Sequence, residues 1–170
     1  MGLAGLGAAW LDPGMENPPR SPADEVTLDH DALDGDHRAL FRLLATALDA
    51  AVRGARAPLV AAIGAFADEA AAHLAAEDRL MEESRYPDRA RHRAAHDLFL
   101  ADVQRLRAET DAQGPSLPIV EALRVRVPEW LRFHILMNDA PLARHLASRP
   151  GGEPAERPAR TPGTRGSSRA

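Results

Sequence analysis

Five histidines and one acid fall where a helical chain would bury them. His37 lies one turn before Phe41, on the stripe that continues through Leu44 and Leu48. His73 and Glu77, four apart, sit between Ala70 and Leu80, and His92 and His96, also four apart, lead into Phe99 and Val103. His134 follows Val127 and Trp130 at helical spacing. Side chains four apart share one helix face, so each pair can reach a common point. Burying such groups unpaired costs about 2–7 kcal/mol each, which would consume the roughly 5–15 kcal/mol by which a domain is stable. A shared metal removes that cost. Imidazole with carboxylate and no sulfur suits iron, and less specifically zinc, copper or manganese. Six or seven ligands are too many for one tetrahedral ion, so two ions are the natural count, with carboxylates between them. Glu77 is one such carboxylate and Asp139 is the candidate for the second. Five residues after His134, Asp139 points well away from it in a regular helix. Either the turn there is wide, as in a π-bulge, or the two side chains approach the metals from different angles.

Four amphipathic helices must position these groups. The first is expected from about Asp36 to Val52, stopping near Gly54. The second opens at Pro58, carries Ile63, Phe66, Ala70, Leu80 and Met81 on its stripe, and must end before Pro87. Asp88 is expected to cap the third, which runs through Phe99, Val103 and Leu106 to Gly114. The fourth starts near Ser116 and carries Val120, Leu123, Val127, Trp130 and Leu131. Pro128 predicts a kink in it and Pro141 a break. Short connections between long amphipathic helices make neighbours antiparallel, which predicts an all-α, up-down-up-down four-helix bundle. No strand signal or internal repeat is visible.

With 170 residues, the chain suits one domain with a sizeable core. The absence of cysteine excludes disulfides, thiolate zinc sites, iron–sulfur clusters and cysteine nucleophiles. A net charge of −4, with all 21 basic residues arginine, leaves no nucleic-acid footprint. The apolar run Gly2–Leu11 is too short to span a bilayer and has no basic residue before it. The expectation is therefore a cytoplasmic protein without membrane insertion. Residues 1–27, rich in proline, are expected to be a flexible segment, 28–148 the bundle, and 149–170 a disordered tail rich in Pro and Arg. His30 and His145 fall outside the core pattern and are expected on the surface.

The ligand pattern resembles that of the hemerythrins, specifically the single-domain bacterial ones, from Leu28 to about Leu146. The resemblance rests on Leu33–Phe41 around His37 and on His73–Met81 with Glu77. It continues in Tyr86-Pro87-Asp88 leading into His92 and His96, and in Trp130–Asp139 with His134. It implies a hemerythrin-like bundle around two iron ions. His92, His96 and His134 would hold one iron and His37 and His73 the other. Glu77 and Asp139 would bridge them, with an oxo or hydroxo group. It further implies reversible O₂ binding at the iron with two histidines, in a dry pocket mapping onto Trp130, Ile135, Leu136 and Leu74. The expected role is oxygen transport, storage or delivery by a monomer rather than catalysis, with small anions such as azide binding the oxidised form. An O₂ or redox sensor, or a di-iron oxidase, peroxidase or nitric-oxide-handling protein, is the alternative on the same scaffold. The glutamate-rich ligand set of ferritin-like oxidases is absent, which argues against the enzyme. Leu74 stands where the family usually has Phe, and Asp78 where it has a second Glu. The family's aromatic N-terminal arm is not recognisable, Trp10 lying far upstream.

Overall fold

The protein's structure, a computed structural model, describes residues 27, 28 and 30–149. The segment expected to be flexible and the tail lie outside the described residues, apart from Thr27 and Arg149.

Helix α1 spans Asp31–Val52, starting five residues earlier than its apolar stripe predicts. Side chains extend it. His30 is its N-cap, and the ring Nδ1 accepts from the Leu33 N–H at 3.4 Å. The buried Asp34 carboxylate reaches back to accept from the N–H groups of Leu28 (2.9 Å) and His30 (3.3 Å). These bonds satisfy donors that a helix start leaves without partners. His30 is thus a half-buried cap rather than a surface residue. The chain leaves α1 through Gly54, whose φ of +69° suits a residue without a Cβ.

Helix α2, Arg56–Glu83, buries Leu59, Ile63, Phe66, Ala70, Leu74 and Met81 on one stripe, interrupted by His73 and Glu77. It ends before Pro87, as the backbone restriction on the residue before a proline requires. By length and composition α2 could cross a bilayer; here its stripe packs inside the bundle. Helix α3 spans Arg89–Gln113. Asp88 precedes it but contributes only its backbone carbonyl, which accepts from His92 N–H at 3.1 Å; its side chain does not cap. At the far end Gly114 has φ +70° and packs on Arg56, whose guanidinium donates to the Asp111 carbonyl at 2.6 Å.

Helix α4 covers residues 117–147 in five consecutive segments. Leu117–Glu121, Val127–His134 and Ala140–Ala147 are α-helical, and Ala122–Arg126 and Ile135–Asp139 are π turns. Each π turn closes with a bond across five residues, Val127 N–H to the Ala122 carbonyl and Ala140 N–H to the Ile135 carbonyl. The next residue is in each case a proline, Pro128 or Pro141. Where bonding returns from a five-residue to a four-residue period, one carbonyl is passed over and left without a donor. Proline has no N–H to draw the turn back to the α period, and the wider turn relieves the clash of its ring with the carbonyl four residues back. Pro141 therefore does not break the helix, as the sequence led us to expect, and α4 continues to Ala147.

The result is an all-α, up-down-up-down four-helix bundle. The connections are residues 53–55, 84–88 and 114–116. Around the first and third, the core is apolar but for Thr110, whose hydroxyl donates to the Leu106 carbonyl: Leu44, Leu59, Ile63, Leu106, Ile119 and Leu123 are each at most 3% exposed. Burial of one such side chain stabilises by about 1.5–3 kcal/mol. That half of the bundle offsets the cost of a polar half, which lies toward the 84–88 connection.

Candidate metal centre

The polar half contains His37 from α1, His73 and Glu77 from α2, His92 and His96 from α3, and His134 and Asp139 from α4. Each is at most 4% exposed. Their ligand atoms form two sets. Glu77, His92, His96, His134 and Asp139 offer atoms within 4.8 Å of one another, as do His37, His73, Glu77 and Asp139. The two acids belong to both. Each divides its oxygens between the sets. Asp139 Oδ1 lies 3.1 Å from His92 Nε2 and 3.1 Å from His134 Nε2, whereas Oδ2 lies 3.2 Å from His37 Nε2. Glu77 Oε2 lies 3.1 Å from His96 Nε2, whereas Oε1 lies 3.6 Å from His73 Nε2.

Asp139 arrives by way of the second π turn. A turn closed over five residues brings the fifth residue back over the first, so Asp139 overlies His134. The wide turn is the one of the two sequence alternatives that α4 adopts.

The arrangement fits a bound cation pair. Both nitrogens of His37 and both oxygens of Glu77 and of Asp139 are buried without a hydrogen-bond partner, despite their short approaches. Buried polar atoms are nearly always paired, so an orphaned group of this size calls for a common partner. Nε2 of His134 also sits 3.1 Å from Nε2 of both His92 and His96. Three ring nitrogens meeting at one point satisfy each other poorly, because a neutral imidazole has one donor and one acceptor nitrogen. One cation would accept all three.

Electrostatics agree. Burial and the nearby Asp139 charge push the Glu77 carboxyl up, but the close approach of His134 and His96 and the charge of His73 outweigh them and bring it down to about 2. Burial acts the same way on Asp139, and contacts with His134, His37 and His92 bring it well below the usual carboxylate range. Burial pushes the His134 imidazole down, and Asp139 and Glu77 reverse this, raising it to about 9. The site keeps two negative charges and gathers positive charge around them.

Three outer contacts were not anticipated from the sequence. Asp36 lies 3.3 Å from His73 Nδ1, Asp78 lies 3.1 Å from His96 Nδ1, and the Asn138 amide lies 3.2 Å from His134 Nδ1. The available signal was adjacency: Asp36 precedes His37, Asp78 follows Glu77, and Asn138 precedes Asp139.

A small cavity of about 10 Å³ touches both histidines of the poorer set, His37 and His73, the shared Asp139 and, from the other set, His134. Leu74, Trp130 and Ile135 line it, as expected from the sequence, together with Leu40, Ala70, Phe99 and Leu131, which were not anticipated as lining. Leu136 is a correction. It is 55% exposed, because one step beyond the buried Ile135 carries its side chain round to the solvent face of α4. Trp130 stacks on His134, with centroids 4.5 Å apart and planes 12° from parallel, and on Phe99, at 3.8 Å and 5°. His145 is a second correction: it is half-buried, lies against Tyr86, and its Nε2 meets the Ser84 carbonyl at 3.0 Å.

Comparison with known proteins follows the same lines. Residues 28–146 match the family described as the hemerythrin HHE cation binding domain. A bacteriohemerythrin of Stenotrophomonas maltophilia (strain R551-3) is 30% identical over 116 residues, 68% of this chain and 74% of that protein. A bacteriohemerythrin of Pseudomonas paraeruginosa (strain DSM 24068 / PA7) is 25% identical over 117 residues, 69% of this chain and 74% of its own. A solved crystal structure of a leucine-to-phenylalanine mutant shares the fold at a TM-score of 0.68 and 24% identity, covering 74% of this chain and 95% of the other.

Proposed function

Because the chain belongs to the hemerythrin HHE cation-binding family, we propose that it binds O₂ reversibly at a non-heme di-iron centre, as a carrier, store or delivery protein rather than an enzyme. One observation carries the proposal: two ligand sets share Glu77 and Asp139, and the set poorer by one histidine has both its histidines against the cavity, where the other set contributes only His134. Two iron ions bound there would lend electrons to O₂ and take them back. His92, His96 and His134 would hold one ion, His37 and His73 the other, and the two acids would bridge the pair, completed by an oxo or hydroxo group. The residues of the chain do the rest. The two buried carboxylates neutralise much of the cationic charge in a medium where it would otherwise be costly. Leu74, Trp130 and Ile135 keep water, and with it protons, away from the cavity, which favours release of O₂ intact. The cavity, with space for about one water molecule, is too small for an organic substrate; O₂, or the end of a small linear anion such as azide, is the ligand proposed beside it. The protein is read as a cytoplasmic monomer with O₂ as its partner.

The test is to reduce the iron-loaded protein, expose it to O₂, and then deoxygenate it. A spectrum that appears with O₂ and disappears on deoxygenation over repeated cycles is expected. Irreversible oxidation in the first cycle, with steady production of hydrogen peroxide, would overturn the carrier reading.

A further inference from the structure

Three of the five histidines at the centre have an outer partner on Nδ1, and the partners are not chemically equal. His73 is backed by Asp36 and His96 by Asp78, whereas His134 is backed by the neutral Asn138. His73 belongs to the set with two histidines and His96 to the set with three. Each ligand set therefore contains one carboxylate-backed imidazole. Both carboxylates come from a helix other than that of the histidine they touch, so each contact also ties two helices together at the site. Asp36 in α1 meets α2, and Asp78 in α2 meets α3. Asp78 faces Arg93 on its other side, at 3.6 Å, which holds it in place.

We propose that Asp36 and Asp78 are positioning residues for the metal centre, one for each metal, and that their charge tunes it toward the more oxidised state. The proposal rests on the di-metal reading given above. A carboxylate accepting the Nδ1–H proton fixes the tautomer in which Nε2 carries the lone pair facing the ligand cluster. It also makes the imidazole a stronger donor. A more strongly donating ligand, with a negative charge behind it, stabilises the higher metal charge and lowers the reduction potential. Asn138 can orient His134 but adds no charge. Asp78 thus has a role through His96, although it stands outside the ligand sets.

The experiment compares Asp36→Asn and Asp78→Asn with wild type and with Asp68→Asn, a control whose exposed carboxylate pairs with Arg107 and touches no histidine of the centre. Asparagine still offers an oxygen to Nδ1–H and removes only the charge. Two readouts are taken. Co(II) is titrated into the apoprotein by visible absorption, which requires neither iron nor O₂, and the midpoint potential of the iron-loaded protein is measured. Each variant is expected to bind Co(II) roughly 10–100-fold more weakly and to have a higher midpoint potential, with Asp78→Glu restoring both. Helix content by circular dichroism stays at the wild-type level, because Asp36 and Asp78 are partly exposed. Co(II) affinity and potential indistinguishable from Asp68→Asn would overturn the proposal while leaving the di-metal reading intact. Potentials unmoved despite weaker Co(II) binding would overturn the role of charge. Wild-type protein that takes up no Co(II) would remove the metal centre and the proposal with it.

Discussion

His73 and His145 carry the same side chain, yet only His73 reaches the shared acids. His73→Ala removes one of two histidines in the poorer ligand set and leaves Glu77 in the core with less to hold it. Loss of most bound iron, loss of O₂ binding and a lower melting temperature are expected. His145→Ala removes a contact with Ser84, costing about 1 kcal/mol, and should leave iron content near wild type. Metal analysis beside a thermal melt separates the two. The titrating groups give a second expectation, for the apoprotein. His134, raised from 6.5 to about 9, contributes stability that is complete below 6.5 and lost as pH rises through 9. Glu77, lowered from 4.5 to about 2, contributes stability that is complete above 4.5 and lost as pH falls through 2. Melting temperatures measured without metal should therefore be highest between about pH 4.5 and 6.5 and fall on either side; a flat profile up to pH 9 would contradict the assignment. At this scale most of the inner cluster was legible, because five histidines and Glu77 stood on apolar stripes; Asp139, off the stripe of a regular helix, was legible only as a candidate. Asp36, Asp78 and Asn138 were not, since polar residues at half-exposed positions look like any solvated helix face.

Among the helices, α4 departs furthest from regular geometry, and the departure is functional. Asp139 reaches the centre only because Ile135–Asp139 is a π turn, and Pro141 occupies the position where that turn gives way to α-helix. Pro141→Ala restores an N–H that can bond the Met137 carbonyl and draw the turn back to the α period. It should raise the melting temperature of the apoprotein while weakening Co(II) binding by roughly tenfold or more. Pro128→Ala relaxes the Ala122–Arg126 turn, which holds no ligand, and should leave Co(II) affinity unchanged. Equal effects of the two substitutions would sever the link between proline and ligand placement. The periodicity of apolar residues made all four helices and their order legible. The start of α1 was not, because Asp34-Gly35-Asp36 has the composition of a loop, and the bonds of His30 and Asp34 that extend the helix depend on local geometry. The prolines of α4 were visible as breakers. That they mark wide turns instead depends on which carbonyls each turn leaves free.

For the whole molecule, the expectation is about two iron ions per chain after expression in iron-replete medium, with azide shifting the visible spectrum of the oxidised form. One zinc per chain, or no response to azide at saturation, would contradict a di-iron centre with an open position. The division of the bundle into an apolar half and a ligand half also implies that metal removal is felt unevenly. Amides of α1 and α4 near residues 37 and 139 should lose hydrogen-exchange protection before those near residues 44 and 123. One last feature makes the buried centre observable from outside. Trp130 is stacked face to face with His134, and the chain's other tryptophan, Trp10, lies outside the described residues. With Trp10 replaced by phenylalanine, the remaining indole becomes a built-in fluorescent gauge. Its emission should dim as a paramagnetic ion fills the neighbouring ligand set and recover when a chelator strips it, so that site occupancy can be followed in real time without any attached dye.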